Sequence, residues 1–219
     1  MILFKEDFVM DIIWAIRELC KGDKGFENMF DKKKSGGKLA SLTGGDRDAE
    51  LFETLLYGKA RSALVEMVND AYNYKEYAVK AHGLLVKDGL SAADAKRALE
   101  IFFIAFGFPG YRSVDKSKLG VTIDENGSFK TEYTGEIRDG KEHGVGERTC
   151  YSHGKWCYYD ECVWIDGVMN GYLSAKDLEF SAFEVQKIGF VVDDHEVGKT
   201  KCFSGEDEYY DDGLKFNVK

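Results

Sequence analysis

The sequence predicts an α+β protein in which an N-terminal helical bundle precedes an antiparallel β-hairpin repeat sheet. Apolar residues recur at three- and four-residue spacing through about residue 110, which is typical of helices that bury one stripe. Beyond Lys116 the apolar period changes to two, which is typical of half-buried strands. The chain has 24 glycines and one proline, Pro109, in 219 residues, so many tight turns are expected. We therefore expect two domains, 1–110 and 119–219.

The N-terminal half is expected to contain four or five helices. Periodic apolar stripes predict helices over residues 7–20, 48–69, 74–87 and 92–106. Ser91 and Asp94 are a plausible N-terminal cap for the last of these helices, and Gly107 stops it. Three successive lysines and two glycines predict an irregular loop over Lys32–Gly37.

The C-terminal half contains an internal repeat of 27 residues. A shift by this length aligns Gly127 with Gly154, Phe129 with Trp156, Ile137 with Trp164, Asp139-Gly140 with Asp166-Gly167, and Gly144 with Gly171. The three units are 121–147, 148–174 and 175–201, and in the third unit Asp194 replaces the turn glycine. Asp-Gly and Asn-Gly pairs supply the positive φ angles of two-residue hairpin loops. Each unit is therefore expected to be a hairpin, and the hairpins should stack into one elongated sheet with a buried aromatic face.

The first unit resembles a known repeat family. Tyr133–Gly146 has a Tyr-x-Gly opening, an Asp-Gly turn and a Gly-x-Gly close, and this pattern resembles a MORN repeat. The second unit keeps Trp164 and the Asp-Gly turn but has Asp160 and Cys162 at the Tyr and Gly positions. The resemblance covers about residues 121–201. It implies an extended β-hairpin array used for contact with partner proteins or, in some members, for contact with membranes or for scaffolding. It does not imply catalysis.

Charge and aromatic content favour a protein partner. Residues 1–115 carry 17 basic and 18 acidic side chains, whereas residues 116–219 carry 13 and 21, so the repeats hold most of the net charge of −9. Nucleic acid and anionic lipid would be repelled by such a sheet. Tyrosine and tryptophan are enriched in protein interfaces. The candidate partner-binding residues are Tyr133, Trp156, Tyr158, Tyr159, Trp164 and Tyr172.

Cysteine usage and the N-terminal sequence favour a cytoplasmic protein. Charged residues interrupt the first 20 positions, so no membrane span or signal peptide is expected there. The five cysteines are odd in number and lack a Cys-x-x-Cys pair, which argues against a disulfide framework.

One cysteine-rich segment has the composition of a zinc site. Cys150, His153, Cys157 and Cys162 supply three thiols and one imidazole. If His153 begins a two-residue turn, Cys150 faces Cys157 across the hairpin, and Cys162 points to the opposite sheet face unless a bulge intervenes. We therefore expect packed thiols, or at most one adventitious disulfide, and no bound metal or cofactor.

The sequence predicts that the protein is not an enzyme. It contains no nucleophile elbow, phosphate-binding loop, dinucleotide fingerprint or His-Glu-x-x-His helix. The cluster Asp193-Asp194-His195-Glu196 falls at the turn of the third unit, where polar residues are expected. The favoured function is a non-enzymatic protein-interaction or scaffold module. Two alternatives stay open: a structural protein that self-assembles through open sheet edges, and a hydrolase-type enzyme with Asp193 and Glu196 in a cleft between helices and sheet.

Overall fold

A computed structural model describes residues 12–217 except 23, 113, 115 and 180–182. The helices of its N-terminal half are α1 (Ile12–Leu19), α2 (Gly25–Met29), α3 (Lys32–Ser35), α4 (Lys38–Thr43), α5 (Arg47–Tyr57), α6 (Arg61–Asn69), α7 (Tyr74–Lys87) and α8 (Ala92–Ala105). Short 3-10 turns lie at Ala71–Asn73 and Lys116–Lys118. The expected start of the first helix at residue 7 lies outside the described residues. None of the described helices is long and apolar enough to cross a membrane.

Two sequence predictions for the helical half are wrong. The helix expected over 48–69 is broken into α5 and α6, because the chain becomes extended at Gly58 after its N–H donates to the Thr54 carbonyl at 2.9 Å. The expected Lys32–Gly37 loop contains α3, which forms because the Asp31 side chain accepts a hydrogen bond from the Lys33 N–H at 3.0 Å. The cap at Ser91 is confirmed, since its hydroxyl accepts from the Asp94 N–H at 3.0 Å.

The second half is an antiparallel sheet, as the alternating pattern predicts. Its strands are β1 (Leu119–Asn126), β2 (Phe129–Arg138), β3 (Lys141–Ser152), β4 (Lys155–Ile165), β5 (Val168–Met169), β6 (Gly171–Glu179), β7 (Phe183–Val192), β8 (His195–Ser204) and β9 (Asp207–Asp212). The strand order is β1-β2-β3-β4-β6-β7-β8-β9, and the short β5 pairs with β4. Neighbours in space are thus neighbours in sequence, which is the topology of stacked hairpins.

The repeated turns have the backbone geometry that the sequence predicts. Both central residues of the Asp139-Gly140 and Asp166-Gly167 turns have positive φ, between 52° and 90°. Asp193 and Asp194 adopt the same conformation, with φ of 49° and 63°, although neither is glycine. Aspartate is one of the few non-glycine residues that tolerate this region, so the third turn keeps its shape without glycine.

The helices cover one face of the sheet, here called the inner face, and a single apolar core joins the two halves. Phe108 of the helical half lies 5.2 Å from Tyr172 of β6 and 5.9 Å from Phe190 of β7 between ring centroids. Val145 and Val163 are buried in the same core. The opposite face, here called the outer face, has a smaller cluster of its own, made of Tyr133, Cys162, Trp164, Leu173, Ala175 and Val191.

Candidate partner-binding surface

The six candidate aromatic residues do not form one surface. Tyr133 and Trp164 are fully buried in the outer-face cluster, where their rings meet edge to face at a centroid distance of 5.1 Å. Tyr172 is buried on the inner face, 6.0 Å from the ring of Tyr74. These three rings are therefore not part of the exposed surface that the sequence analysis expects, and a partner could reach them only by opening the cores. The repeat places its largest rings where they seal the sheet.

The other three candidates are half-exposed and lie on β4. Tyr158 is on the outer face, opposite Cys150 of β3. Trp156 and Tyr159 lie together on the inner face. The helices cover the later part of β4, where Val163 and Ile165 are buried in the core, but they do not cover these two rings fully. Both these faces of β4 therefore keep rings within reach of solvent.

A β-bulge brings Trp156 and Tyr159 to the same face. Cys150 pairs with Tyr158 and Tyr151 pairs with Trp156, so Cys157 is an extra residue in β4. An extra residue reverses the side-chain alternation of the residues beyond it. The bulge therefore turns Trp156 toward the inner face, where it lines a shallow cleft of about 430 Å³ with Tyr159, Lys176 and Glu184. We call these four residues the ledge.

The same bulge overturns the expected arrangement of the cysteines. Cys150 faces Tyr158 rather than Cys157, and Cys150 and Cys162 share the outer face instead of lying on opposite faces. His153 is exposed at the turn tip, as predicted, with φ of 52°. All five cysteines of the chain are free thiols. Within the residues that the structure describes, no three His, Cys, Asp or Glu side chains are grouped so that they could hold a metal ion.

The ledge carries balanced charge and a protonated phenol. Lys176 pairs with Glu184 at 3.1 Å, and both side chains are nearly half exposed. Burial, together with the neighbouring Glu147 carboxylate, raises the pKa of Tyr159 to about 12. The phenol keeps its proton and hydrogen-bonds to the Glu147 side chain. The ledge thus offers two ring faces, one cation and one anion.

The helical half supports the strand just beside the ledge. Arg112 forms an ion pair with Glu161 of β4, and its Nε donates to the Gly107 carbonyl at 2.9 Å. Burial lowers the pKa of the Arg112 guanidinium. Because Glu161 follows Tyr159 on the same face of β4, this contact fixes the ledge relative to the end of α8.

A second cleft, of about 320 Å³, lies where the helices meet the turn tips, near Cys20, Asp166, Asp193 and Asp194. The carboxylates of Asp193 and Asp194 accept hydrogen bonds from backbone N–H groups. Asp193 Oδ2 accepts from the Lys24 N–H at 3.2 Å, and Asp194 Oδ1 accepts from the Met169 N–H at 2.8 Å. Glu196, which the enzyme alternative pairs with Asp193, does not line this cleft. The arrangement joins adjacent turns and connects them to the helical half.

Sequence reasoning missed the charged residues of both sheet faces. On the ledge these are Lys176 and Glu184, and Lys176 lies directly opposite Tyr159 in the pairing of β4 with β6. On the outer face Arg148 lies 3.5 Å from Asp160, and burial raises the pKa of Asp160 to about 6. The 27-residue repeat could have predicted that Asp160 is largely buried, because Asp160 corresponds to the buried Tyr133 of the preceding unit.

No protein-family model, curated protein or solved structure matches this chain.

Proposed function

We propose that this chain is a non-enzymatic protein-interaction module, a MORN-like hairpin array that binds a protein partner at the ledge. The observation that carries the proposal is the pair of half-exposed rings, Trp156 and Tyr159, on a strand that the helical half holds in place. Large rings displayed on a rigid element lose little conformational entropy on binding, and Trp and Tyr dominate the energetics of protein interfaces. The sheet supplies that rigidity because Trp156 and Tyr159 are both paired with β3, and Tyr159 is also paired with β6.

The charges of the ledge support a polypeptide as the ligand. Lys176 and Glu184 neutralise each other, so the site does not select for a polyanion. A protein segment that presents an apolar side chain to the rings, flanked by one acidic and one basic residue, would match both parts of the ledge. The five free thiols support a cytoplasmic location for this interaction, because thiols persist unpaired in a reducing compartment.

A comparison of three forms of the chain tests the proposal. The wild-type chain, the double variant Trp156→Ala/Tyr159→Ala, and the control Phe129→Ala are immobilised and used to capture proteins from the native cells. Phe129 is a suitable control because it is an exposed ring on the same face as Tyr133, the outer face, whereas the ledge lies on the inner face. We expect the wild type and the control to retain the same partner, and the double variant to lose it. Retention of an unchanged set of proteins by the double variant would refute the assignment.

A further inference from the structure

The first strand of the sheet carries an exposed aliphatic stripe at an open edge. β1 ends the strand order, and within the described part of the chain it pairs only with β2. Leu119, Val121 and Ile123 are 51%, 61% and 57% exposed. Because they alternate along the strand, all three point to the same face of the sheet.

The backbone of these same three residues faces the open edge. The β1–β2 hairpin turns through Gly127-Ser128, and Asn126 pairs with Phe129 next to the turn. In a two-residue hairpin this closing pair exchanges its hydrogen bonds, and bonded pairs then alternate with non-bonded pairs along the ladder. Counting back by twos from Asn126, the even-numbered residues bond to β2. The N–H and C=O groups of Leu119, Val121 and Ile123 therefore point away from β2 and toward solvent.

We propose that β1 binds β1 of a second copy of this chain, antiparallel and centred on Val121, to form a two-fold dimer. In this register Val121 lies opposite its counterpart, and Leu119 lies opposite Ile123 of the other copy. The three outward-facing residues of each strand then exchange six hydrogen bonds, and their side chains form three aliphatic cross-strand pairs. A one-residue shift would oppose residues of opposite faces, and a two-residue shift would leave one aliphatic side chain of each strand without an aliphatic partner, so this register buries the most apolar surface.

Charge along β1 favours the antiparallel arrangement. Lys116 and Lys118 precede the strand, and Asp124 and Glu125 lie near its end. Antiparallel pairing brings the basic start of one strand beside the acidic end of the other, whereas parallel pairing would bring like charges together.

The other end of the sheet does not offer an equivalent surface. β9 carries Asp207, Glu208, Asp211 and Asp212 and contains no basic residue. Two copies paired through β9 would place carboxylates against carboxylates. The charge pattern therefore selects β1 as the strand that joins two copies, and the dimer closes with no β1 edge left open. This inference does not rest on the proposed function, because the ledge lies on β4, β6 and β7, which β2 and β3 separate from the β1 edge.

Sedimentation velocity over a concentration series tests the dimer with the wild type and two variants. The wild type should approach twice the monomer mass as its concentration rises. Val121→Lys should stay monomeric, since the two-fold axis places two ammonium groups together. Thr134→Lys is the matched control: Thr134 is exposed on β2 directly opposite Val121, so the substitution adds the same charge to the same face, one strand further from the two-fold axis. It should dimerise as the wild type does.

A mixing experiment tests the centre of the register. Val121→Lys and Val121→Glu should each remain monomeric alone, whereas an equimolar mixture should form dimers because residue 121 meets its counterpart across the axis. An unchanged unfolding midpoint for each variant verifies that the fold is retained. A wild type that stays monomeric throughout, a Val121→Lys form that dimerises normally, or a mixture that fails to associate would each overturn the proposal.

Discussion

The guanidinium of Arg17 in α1 lies 3.1 Å from the carboxylate of Glu136 in β2, and both side chains are only 2% exposed. Arg17 also donates from Nε to the Ala105 carbonyl at the end of α8, at 3.3 Å. One cation thus joins the first described helix, the last helix and the first repeat unit. A buried pair of this kind specifies how elements dock, because either charge without its partner would be left in an apolar interior.

Removing one member of the pair should cost more than removing both. Glu136→Leu leaves the Arg17 cation buried without its partner, so we expect a loss of about 3–5 kcal/mol in the free energy of unfolding. The double variant Arg17→Met/Glu136→Leu should recover most of that loss, because apolar side chains of similar volume can replace a buried pair. Urea denaturation of the two forms measures the difference. If the double variant is less stable than the single one, the pair does not control docking.

The buried side chain of His143 should make the free energy of unfolding depend on pH. Its ring stacks on Trp14 at a centroid distance of 4.8 Å, and its Nδ1 accepts a hydrogen bond from the Asp166 N–H at 3.3 Å. Burial and the nearby Arg17 cation lower the pKa of His143 to about 3. The unfolded chain takes up a proton below about pH 6.5 and the folded chain does not, so stability is full above that pH and falls as the pH decreases toward 3. By pH 5 the loss from this residue should reach about 2 kcal/mol.

The repeat itself supplies the control for this residue. Asn170 stands one unit after His143, and its Oδ1 accepts from the Asp193 N–H at 3.1 Å, the same bond at the next turn. His143→Asn therefore keeps an acceptor for the Asp166 N–H but cannot be protonated. Asp160 acts in the opposite direction, since its pKa is raised to about 6 and it stabilises the folded chain as the pH falls from 6 toward 4. The decisive quantity is thus the difference between the two proteins, and equal pH slopes between 6.5 and 4 would refute the assignment.

The sequence predicted local features well and the placement of side chains poorly. The repeat length, the two-residue turns and the Ser91 cap depend on neighbouring residues, and all are present. The six aromatic residues do not form the single exposed surface that the sequence suggested, for two reasons that no local pattern reveals. Which face of the sheet is buried depends on where the helices dock, and the direction of Trp156 depends on the single extra residue Cys157. The Arg17–Glu136 pair joins residues 119 positions apart, so no periodicity could reveal it.

Trp164 should be the most costly aromatic residue of the repeats to remove. It is fully buried, packs against Tyr133, and has the Arg148 guanidinium 5.6 Å from its ring centroid. Trp164→Ala should destabilise the fold by about 3–5 kcal/mol, as expected for a large buried aromatic side chain. Trp156→Ala removes the same side chain from a half-exposed position and should cost far less. Chemical denaturation compares the two, and similar midpoints would place Trp164 at the surface.

The third unit has lost its turn glycine but keeps Gly198, and a pair of alanine substitutions should show why. Gly154 and Gly198 both have positive φ, of 75° and 68°, so alanine brings the same strain of about 1–2 kcal/mol at either position. A Cβ at Gly154 would meet no atom of the described residues within 4 Å, whereas a Cβ at Gly198 would overlap the backbone of Asn69 at the end of α6. Gly198→Ala should therefore cost about 1–3 kcal/mol more than Gly154→Ala.

The extra cost should appear at a second location, because Asn69 also holds the C-terminal segment. Its side chain donates to the Phe216 carbonyl and accepts from the Phe216 N–H, both at 2.8 Å. Pushing Asn69 away from Gly198 should break this pair of bonds. Hydrogen exchange at the Phe216 amide should then become faster in Gly198→Ala and stay unchanged in Gly154→Ala. Equal exchange in the two variants would show that the close approach of β8 to α6 does not fix the end of the chain.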